Sequence, residues 1–482
     1  MRALIVLGIV LASPLLALDE GEARHLLART GFGPTPAAVA ALVPLSREQA
    51  VDAILATATT VPTLVAPDWC ADPFPTYVKA RKADWDAAYA MAQGEPRKKR
   101  EDELRKRDED RGWDLKRWWW QELCATRSPL TERMVLFWHN HFTSQLSVVG
   151  DPRLMWEQNQ LLRRHALGSF AYLALAIPFD PAMHRYLDSD SNVAAHPNEN
   201  FAREVMELFT VGEGNYSEKD IKEAARAFTG YKLGESGVPE LDGNQHDGGR
   251  KVVLGNRGVF DAKGIIEILL LREKNVALNV CTRLWREFVS ETPDEKAVFA
   301  VSAAFYRARY QIPAALRALL ASDAFWDPAN RGELIKSPVE LMVGAVRQLD
   351  QVVGDPIALV DAGKRLGQDL FDPPNVKGWK GGRAWISTHS LLARRDALEA
   401  VLSGKVTAAS KHHLFTPRPM GTPAQPMVAA LTTPTPWLTA ATAAGDRALI
   451  VRMLLPRSGV DSGTDVRKAV ADALRDPSFN LK

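Results

Sequence analysis

Apolar residues recur at helical spacing through most of the chain. Between Ser217 and Gly230 they fall at Ile221, Ala224, Ala225 and Phe228, a single stripe of a 3.6-residue helix. The same period runs through Lys263–Leu271, Val276–Phe288, Pro293–Tyr310, Pro313–Ala321 and Pro338–Val352. Alternation of apolar and polar residues, the mark of a half-buried strand, is scarce; Lys251–Val253 reads as a short hairpin. The pattern predicts an all-α fold, a large multi-helical single domain with at most a small β-hairpin.

Punctuation residues sharpen the boundaries. Ala23, Leu26 and Leu27 open a first helix that Gly31 and Gly33 end. Thr35 and Ser128 each stand before a proline, a cap followed by the position where a missing N–H costs nothing. The helix after Ser128 is apolar on every face from Met134 to Trp138, which predicts burial almost all round. Residues 154–177 read as one helix ended by Pro178, and 58–76 as loop. Ser217 with Asp220 makes a variant capping box. Residues 404–440 are rich in Pro, Thr and Ala and read as a loop or linker. It separates a main helical domain over 18–403 from C-terminal helices in 441–482, near Arg447–Leu455 and Asp465–Leu474.

The first residues form a different pattern. Arg2 precedes an apolar run from Ala3 to Ala12, then Ser13-Pro14 and the small Ala17. This is the layout of a secretory signal peptide over 1–17; a buried first helix is the rival reading. No other run reaches the ~18 apolar residues of a membrane span. The expectation is an exported protein, periplasmic or extracellular, with no transmembrane anchor in its mature form.

Composition adds exclusions. The 482 residues carry 46% hydrophobic and 24% charged side chains and a formal net charge of +2. Such a balance gives no argument for nucleic acid as partner. From Arg97 to Arg111 only Leu104 is uncharged, and both signs mix, as on a solvated helix with i,i+4 pairs such as Glu101–Arg105 and Glu103–Arg107. Trp118, Trp119 and Trp120 follow and mark re-entry into the core. Cys70, Cys124 and Cys281 lack metal-type spacing; one disulfide or three free thiols are open readings.

Candidate chemistry concentrates between Tyr186 and Gly230. Glu199, Arg203 and Glu207 share a helix face, and Glu204 stands three residues before Glu207. Phe201, Val205, Met206, Leu208 and Phe209 leave that helix little water, so its carboxylates need either ion-pair partners or a cation. Ahead of it, Asp188, Asp190, Asn192 and Glu199 match positions 1, 3, 5 and 12 of a calcium loop. Val193 stands where such a loop needs glycine, and Pro197 falls late, so the segment is not an EF-hand. Another oxygen-ligand site, with Asn198 and Asn200 in support, competes with an Asx-rich cap for the next helix. His139 and His141 flank Asn140; two residues apart on a helix they point about 200° from each other. His246-Asp247 lies in a glycine-rich stretch that either reaches the site or forms plain surface loop. No GxSxG elbow, HExxH, Walker or dinucleotide motif occurs.

Several segments together resemble the bacterial domain-of-unknown-function family 1800. They are HLLARTGFGPTP at 25–36, ERMVLFWHNHF at 132–142, PNENFAREVMELFTVGEGNYSEKDIKEAARAFTGY at 197–231, HDGGRKVVLG at 246–255, IKSPVEL at 335–341, LFDPPNVKGWKGGRAWI at 370–386 and the final DPSFNLK. Tyr231, where the family commonly has Trp, and Arg250-Lys251 depart from its pattern, as does the 404–440 region. The resemblance implies an all-helical exported protein. It also implies, as partner, a co-exported protein related in fold to sulfatases and phosphatases; it assigns no reaction.

Together these readings set an expectation of a metal-assisted, hydrolase-like enzyme. Glu204, Glu207 and His141 would act on the substrate. His139, Asp188, Asn192 and Glu199 would hold a divalent metal ion, with Asn198, Asn200, Arg203, His246 and Asp247 in support. The rival is a non-catalytic envelope or secretion-associated binding protein that works with the co-exported partner through the charged helix and exposed tryptophans.

Overall fold

The computed structural model describes residues 17–349, 353, 355–403, 447–456 and 466–482. The signal-peptide reading of 1–17 (apart from Ala17) and the linker reading of 404–440 lie outside the described residues. What is described is helical, with two small antiparallel hairpins, Tyr231–Leu233 with Pro239–Leu241 and Lys251–Val253 with Asn256–Gly258.

The scaffold is built on two buried helices. Glu95–Ala125 begins as the charged arm, antiparallel to Phe74–Ala90, and its second half enters the core. Trp118, Trp119 and Trp120 are all buried there, so they offer no surface to a partner. Pro129–His141 packs on Pro152–His165 and on the first helix, Glu20–Thr30. Buried charge ties these elements together: Arg163 grips both oxygens of Glu132, and Trp119 Nε1 donates to the same carboxylate at 3.1 Å. Glu101–Arg105 pairs as expected at 3.3 Å, whereas Arg107 turns to Asp84 and Asp108.

Local chemistry explains most boundaries. Thr35 and Ser217 accept from the third helical N–H, at 3.3 Å each, and Asp220 completes the capping box. Ser128 does not cap in that way; its hydroxyl bonds Thr131 and accepts from the Thr59 N–H. Residues 154–177 are two helices, Pro152–His165 and Phe170–Ala176. The chain breaks at Gly168-Ser169, where Ser169 makes a β-bridge with Gln311. The second hairpin turns through Leu254 and Gly255, both at positive φ, a primed turn with leucine where asparagine is usual. Asp220 accepts from the Leu254 N–H and Arg272 donates to its carbonyl, which holds the residue in that conformation. The cysteines form no disulfide, and burial pushes each thiol up to about 12. No helix among the described residues is long and apolar enough to cross a membrane.

Candidate functional site

Two helices face each other with the same spacing. Arg133, Leu136, Phe137, Asn140 and His141 project from Pro129–His141; Asn279, Thr282, Arg283, Arg286 and Glu287 project from Glu273–Phe288. Each set follows i, i+3, i+4, i+7, i+8, one face of a helix. Between them lies a cleft of about 730 Å³. Glu207, the loop Lys377–Gly382, Glu340 and Lys482 complete its wall.

Glu207 reaches the cleft because its helix changes pitch. Asn200–Glu204 is α-helical, and Val205–Phe209 widens into a π-turn, a local irregularity common at functional sites. Beyond the turn Thr210 bonds back to the Val205 carbonyl and the Gly212 N–H to Met206 O at 3.0 Å. Lys377 Nζ lies 3.3 Å from Glu207 Oε1, and the Tyr216 hydroxyl donates to Oε2 at 3.2 Å. Glu204 stands beside this group, half-buried. Burial first, then the Glu207 charge, raises its pKa, against weaker opposing pulls from Lys377 and Arg203.

His141 supports the turn. Its Nε2–H donates to the Phe209 carbonyl at 3.0 Å, which fixes the tautomer and leaves Nδ1 as a bare acceptor. That nitrogen is closed to solvent and has no partner among the described residues. The ring touches Phe137, Trp138, Phe142, Phe170 and Phe209, and burial, then Arg283, lowers its pKa well below the usual value, so the imidazole is neutral. Asn140 positions the opposite wall: its Oδ1 accepts from the Trp379 N–H at 2.7 Å and its Nδ2 donates to the Trp379 carbonyl at 3.3 Å. Gly378, at φ +74°, lies so close that a Cβ would sit 2.1 Å from Asn140 Oδ1.

The other expected residues go elsewhere. His139 points to the far side of its helix, among Trp119, Phe371 and Trp379, where burial lowers its pKa to about 4. Asp188 accepts from Ser191 at 2.8 Å. Buried Asn192 donates to Ala225 O at 3.2 Å and accepts from the Asn198 N–H at 2.8 Å. Asn198 in turn accepts from the Asn200 N–H at 3.0 Å. Arg203 joins Glu199 and Glu218 at the surface, at 3.1 and 2.8 Å. His246 Nδ1 donates to Thr229 O at 2.9 Å, and Asp247 binds Arg226 at 2.6 Å. The Asp188–Asn200 segment is thus an Asx-rich scaffold, and the expected ligand set does not gather. Among the described residues no group of three or more His, Cys, Asp or Glu is placed to hold a metal ion.

Sequence reasoning missed the charged floor. Arg133, 2% exposed, binds both Glu287 and Glu340, and Lys482 binds the same two carboxylates, at 3.5 Å to Glu287. The tail that brings Lys482 there is held by the Ile335–Leu481 bridge and by Lys336 Nζ on the Phe479 carbonyl at 2.7 Å. The signal was present in the spacing of Arg133, Leu136, Phe137, Asn140 and His141, which marks one face of a helix read as uniformly apolar.

No curated protein and no solved structure matches the chain. A family model described as a protein of unknown function (DUF1800) matches residues 25–481. The segments that line the cleft are drawn from across that match, and with nearly its whole length inside it the chain belongs to the DUF1800 family.

Proposed function

We propose that the cleft binds and hydrolyses its substrate, with Glu207 as the general base and Glu204 as its proton-holding neighbour. The carrying observation is Glu207 at the cleft wall, between Lys377 and Tyr216, with Glu204 behind it in the same turn and its pKa raised. Pairs of carboxylates in unlike surroundings divide acid and base roles. A water in the cleft gives its proton to Glu207 as its oxygen attacks the substrate, and Glu207 returns that proton to the leaving group. One water is consumed and one bond broken. Burial and the Glu207 charge both favour the proton on Glu204, which lessens the repulsion that a second charge would add. His141 is a positioning residue, since it holds the π-turn through Phe209. Among the described residues no ligand set for a divalent ion gathers at this site. Export belongs to the same proposal and rests on the pattern of residues 1–17.

The test is turnover of a panel of chromogenic carboxylic, phosphate and sulfate esters, glycosides and anilides. At least one class should be cleaved, with a loss of roughly 100-fold or more in Glu207→Gln. Glu204→Gln should shift the pH–rate profile. No turnover with any class, or a Glu207→Gln variant as active as the parent, would refute it. Ligand-dependent stabilisation without turnover would instead favour a binding role beside a co-exported partner.

A further inference from the structure

The cleft holds cations with no ion-pair partner among the described residues. Its carboxylates are largely committed: Glu207 to Lys377 and Tyr216, Glu287 and Glu340 to Arg133 and Lys482, Glu291 to Arg383 at 3.5 Å. Glu213, the remaining acid of the lining, is exposed and bonds neither arginine of the facing helix. Arg283 and Arg286 form no hydrogen bond or ion pair among the described residues, yet Arg283 is partly buried in the wall. Its surroundings oppose its charge, through burial and then Arg286. A partly buried guanidinium without a counter-charge is costly, and the exposed Arg286 one turn on adds like-charge repulsion.

The helix that presents them is fixed. Val280, Leu284 and Phe288 are buried on its other side, and Asn279 Nδ2 donates to the Thr210 carbonyl at 2.9 Å, directly after the π-turn. Lys380 faces the same space from the opposite loop and has no ion pair among the described residues. A rigid guanidinium fork across a cleft from a lysine matches the paired oxygens of a phosphate, sulfate or carboxylate.

We propose that Arg283, with Arg286 and Lys380 around it, anchors an oxyanion group of the ligand that occupies the cleft. This rests on the reading of the cleft as a substrate site and names the substrate class: an anionic molecule, its charged group on Arg283 and its reacting bond toward Glu207.

The test is oxyanion binding by the full chain carrying Glu207→Gln, which separates binding from turnover. Inorganic phosphate, sulfate and acetate are each titrated against chloride at matched ionic strength, with binding read by calorimetry and thermal melting. At least one oxyanion should bind and raise Tm where chloride does not, and their ranking identifies the group. Arg283→Gln should weaken that binding roughly tenfold or more, the loss of charge-assisted hydrogen bonds. It should leave the Tm of the ligand-free protein unchanged or higher, because it removes an uncompensated cation. If Arg283→Gln does not fold, Arg283→Lys serves, retaining charge without the fork and losing part of the affinity. No oxyanion dependence, unchanged binding in the variants, or a lower ligand-free Tm with binding intact would overturn the anchor. Binding without turnover in the parent protein would leave the anchor standing and remove the hydrolase, and turnover without oxyanion binding would do the reverse.

Discussion

Replacing Gly378 by alanine isolates what holds the cleft's outer wall. Two costs separate cleanly, because Gly381, three residues on, shares one of them. Both glycines sit at positive φ, +74° and +72°. A Cβ at Gly381 meets nothing within 4 Å, whereas one at Gly378 meets Asn140 Oδ1 at 2.1 Å and Asn140 O at 2.7 Å. Left-handed helical backbone costs an L residue about 1–2 kcal/mol, and the extended positive-φ conformation of Gly381, ψ −173°, costs about 1–3 kcal/mol. Stiffening of the unfolded chain offsets about 0.4–1 of that. Gly381→Ala should therefore destabilise by about 1–2 kcal/mol. Gly378→Ala adds the overlap, roughly 1–3 kcal/mol. It also adds the two bonds between Asn140 and the Trp379 backbone, roughly 1 kcal/mol each if the loop moves away. Together with the backbone cost of about 1 kcal/mol, the total is about 4–6 kcal/mol. Urea unfolding followed by circular dichroism compares the two variants, and tryptophan fluorescence reports whether Trp379 leaves its site. In an Asn140→Ala background the added cost of Gly378→Ala should fall, since the nearest clashing atom is gone. If the two glycine variants cost the same within about 0.5 kcal/mol, Asn140 does not pin the loop and the account of this wall is wrong.

The buried pair of Arg163 and Glu132 gives a larger effect. Arg163→Met should destabilise by about 3–5 kcal/mol in thermal melts, and the double change Arg163→Met with Glu132→Leu should recover most of it. Lys336 gives a pH signature. Burial, then Arg394 and Lys482, lowers its pKa from 10.5 to about 7, so between those values the unfolded chain binds a proton that the folded one lacks. Stability should rise with pH across that window, and the penalty should be full below about 7. Lys482, also lowered, adds slope of the same sign. Lys336→Met should flatten the slope in urea melts between pH 6 and pH 10. Finally, chelator treatment should leave Tm unchanged, because Asp188, Asn192 and Glu199 are already bonded to protein groups and His139 is enclosed among aromatic rings; a fall in Tm together with stoichiometric zinc, calcium or magnesium in the purified protein would sink that reading.

Helical periodicity carried most of the fold because it records which face is buried. It placed Glu273–Phe288, Ile312–Leu320 and Pro338–Gln348 to within a few residues, and Lys251–Val253 as a hairpin strand. It failed where tertiary contacts override local pattern. The break at Gly168-Ser169 is held by Gln311, a partner that no window of neighbouring residues reveals. The π-turn escaped for a related reason: Glu204 and Glu207 were placed by a 3.6-residue period that does not hold through Val205–Phe209. The calcium-like loop misled because asparagine and aspartate serve backbone N–H groups as readily as they serve cations. The charged floor was hardest to see. Arg133, Glu287, Glu340 and Lys482 are scattered along the sequence and meet only in the folded chain.

The loop that closes the cleft has a consequence for the order of folding. Its segment is pinned by partners very far along the chain. Lys116 holds Asp369 and Asp372 across 253 and 256 residues, the Ser147 N–H holds Asp372 across 225, and Asn140 holds Trp379 across 239. Contacts of such long range form late, because the intervening chain must already be compact before they repay closing it. The helices can therefore assemble first, with the cleft wall added afterwards. Slowed or partial maturation would yield a helical, compact molecule with an incomplete site. Helix content would report success before the protein could bind anything.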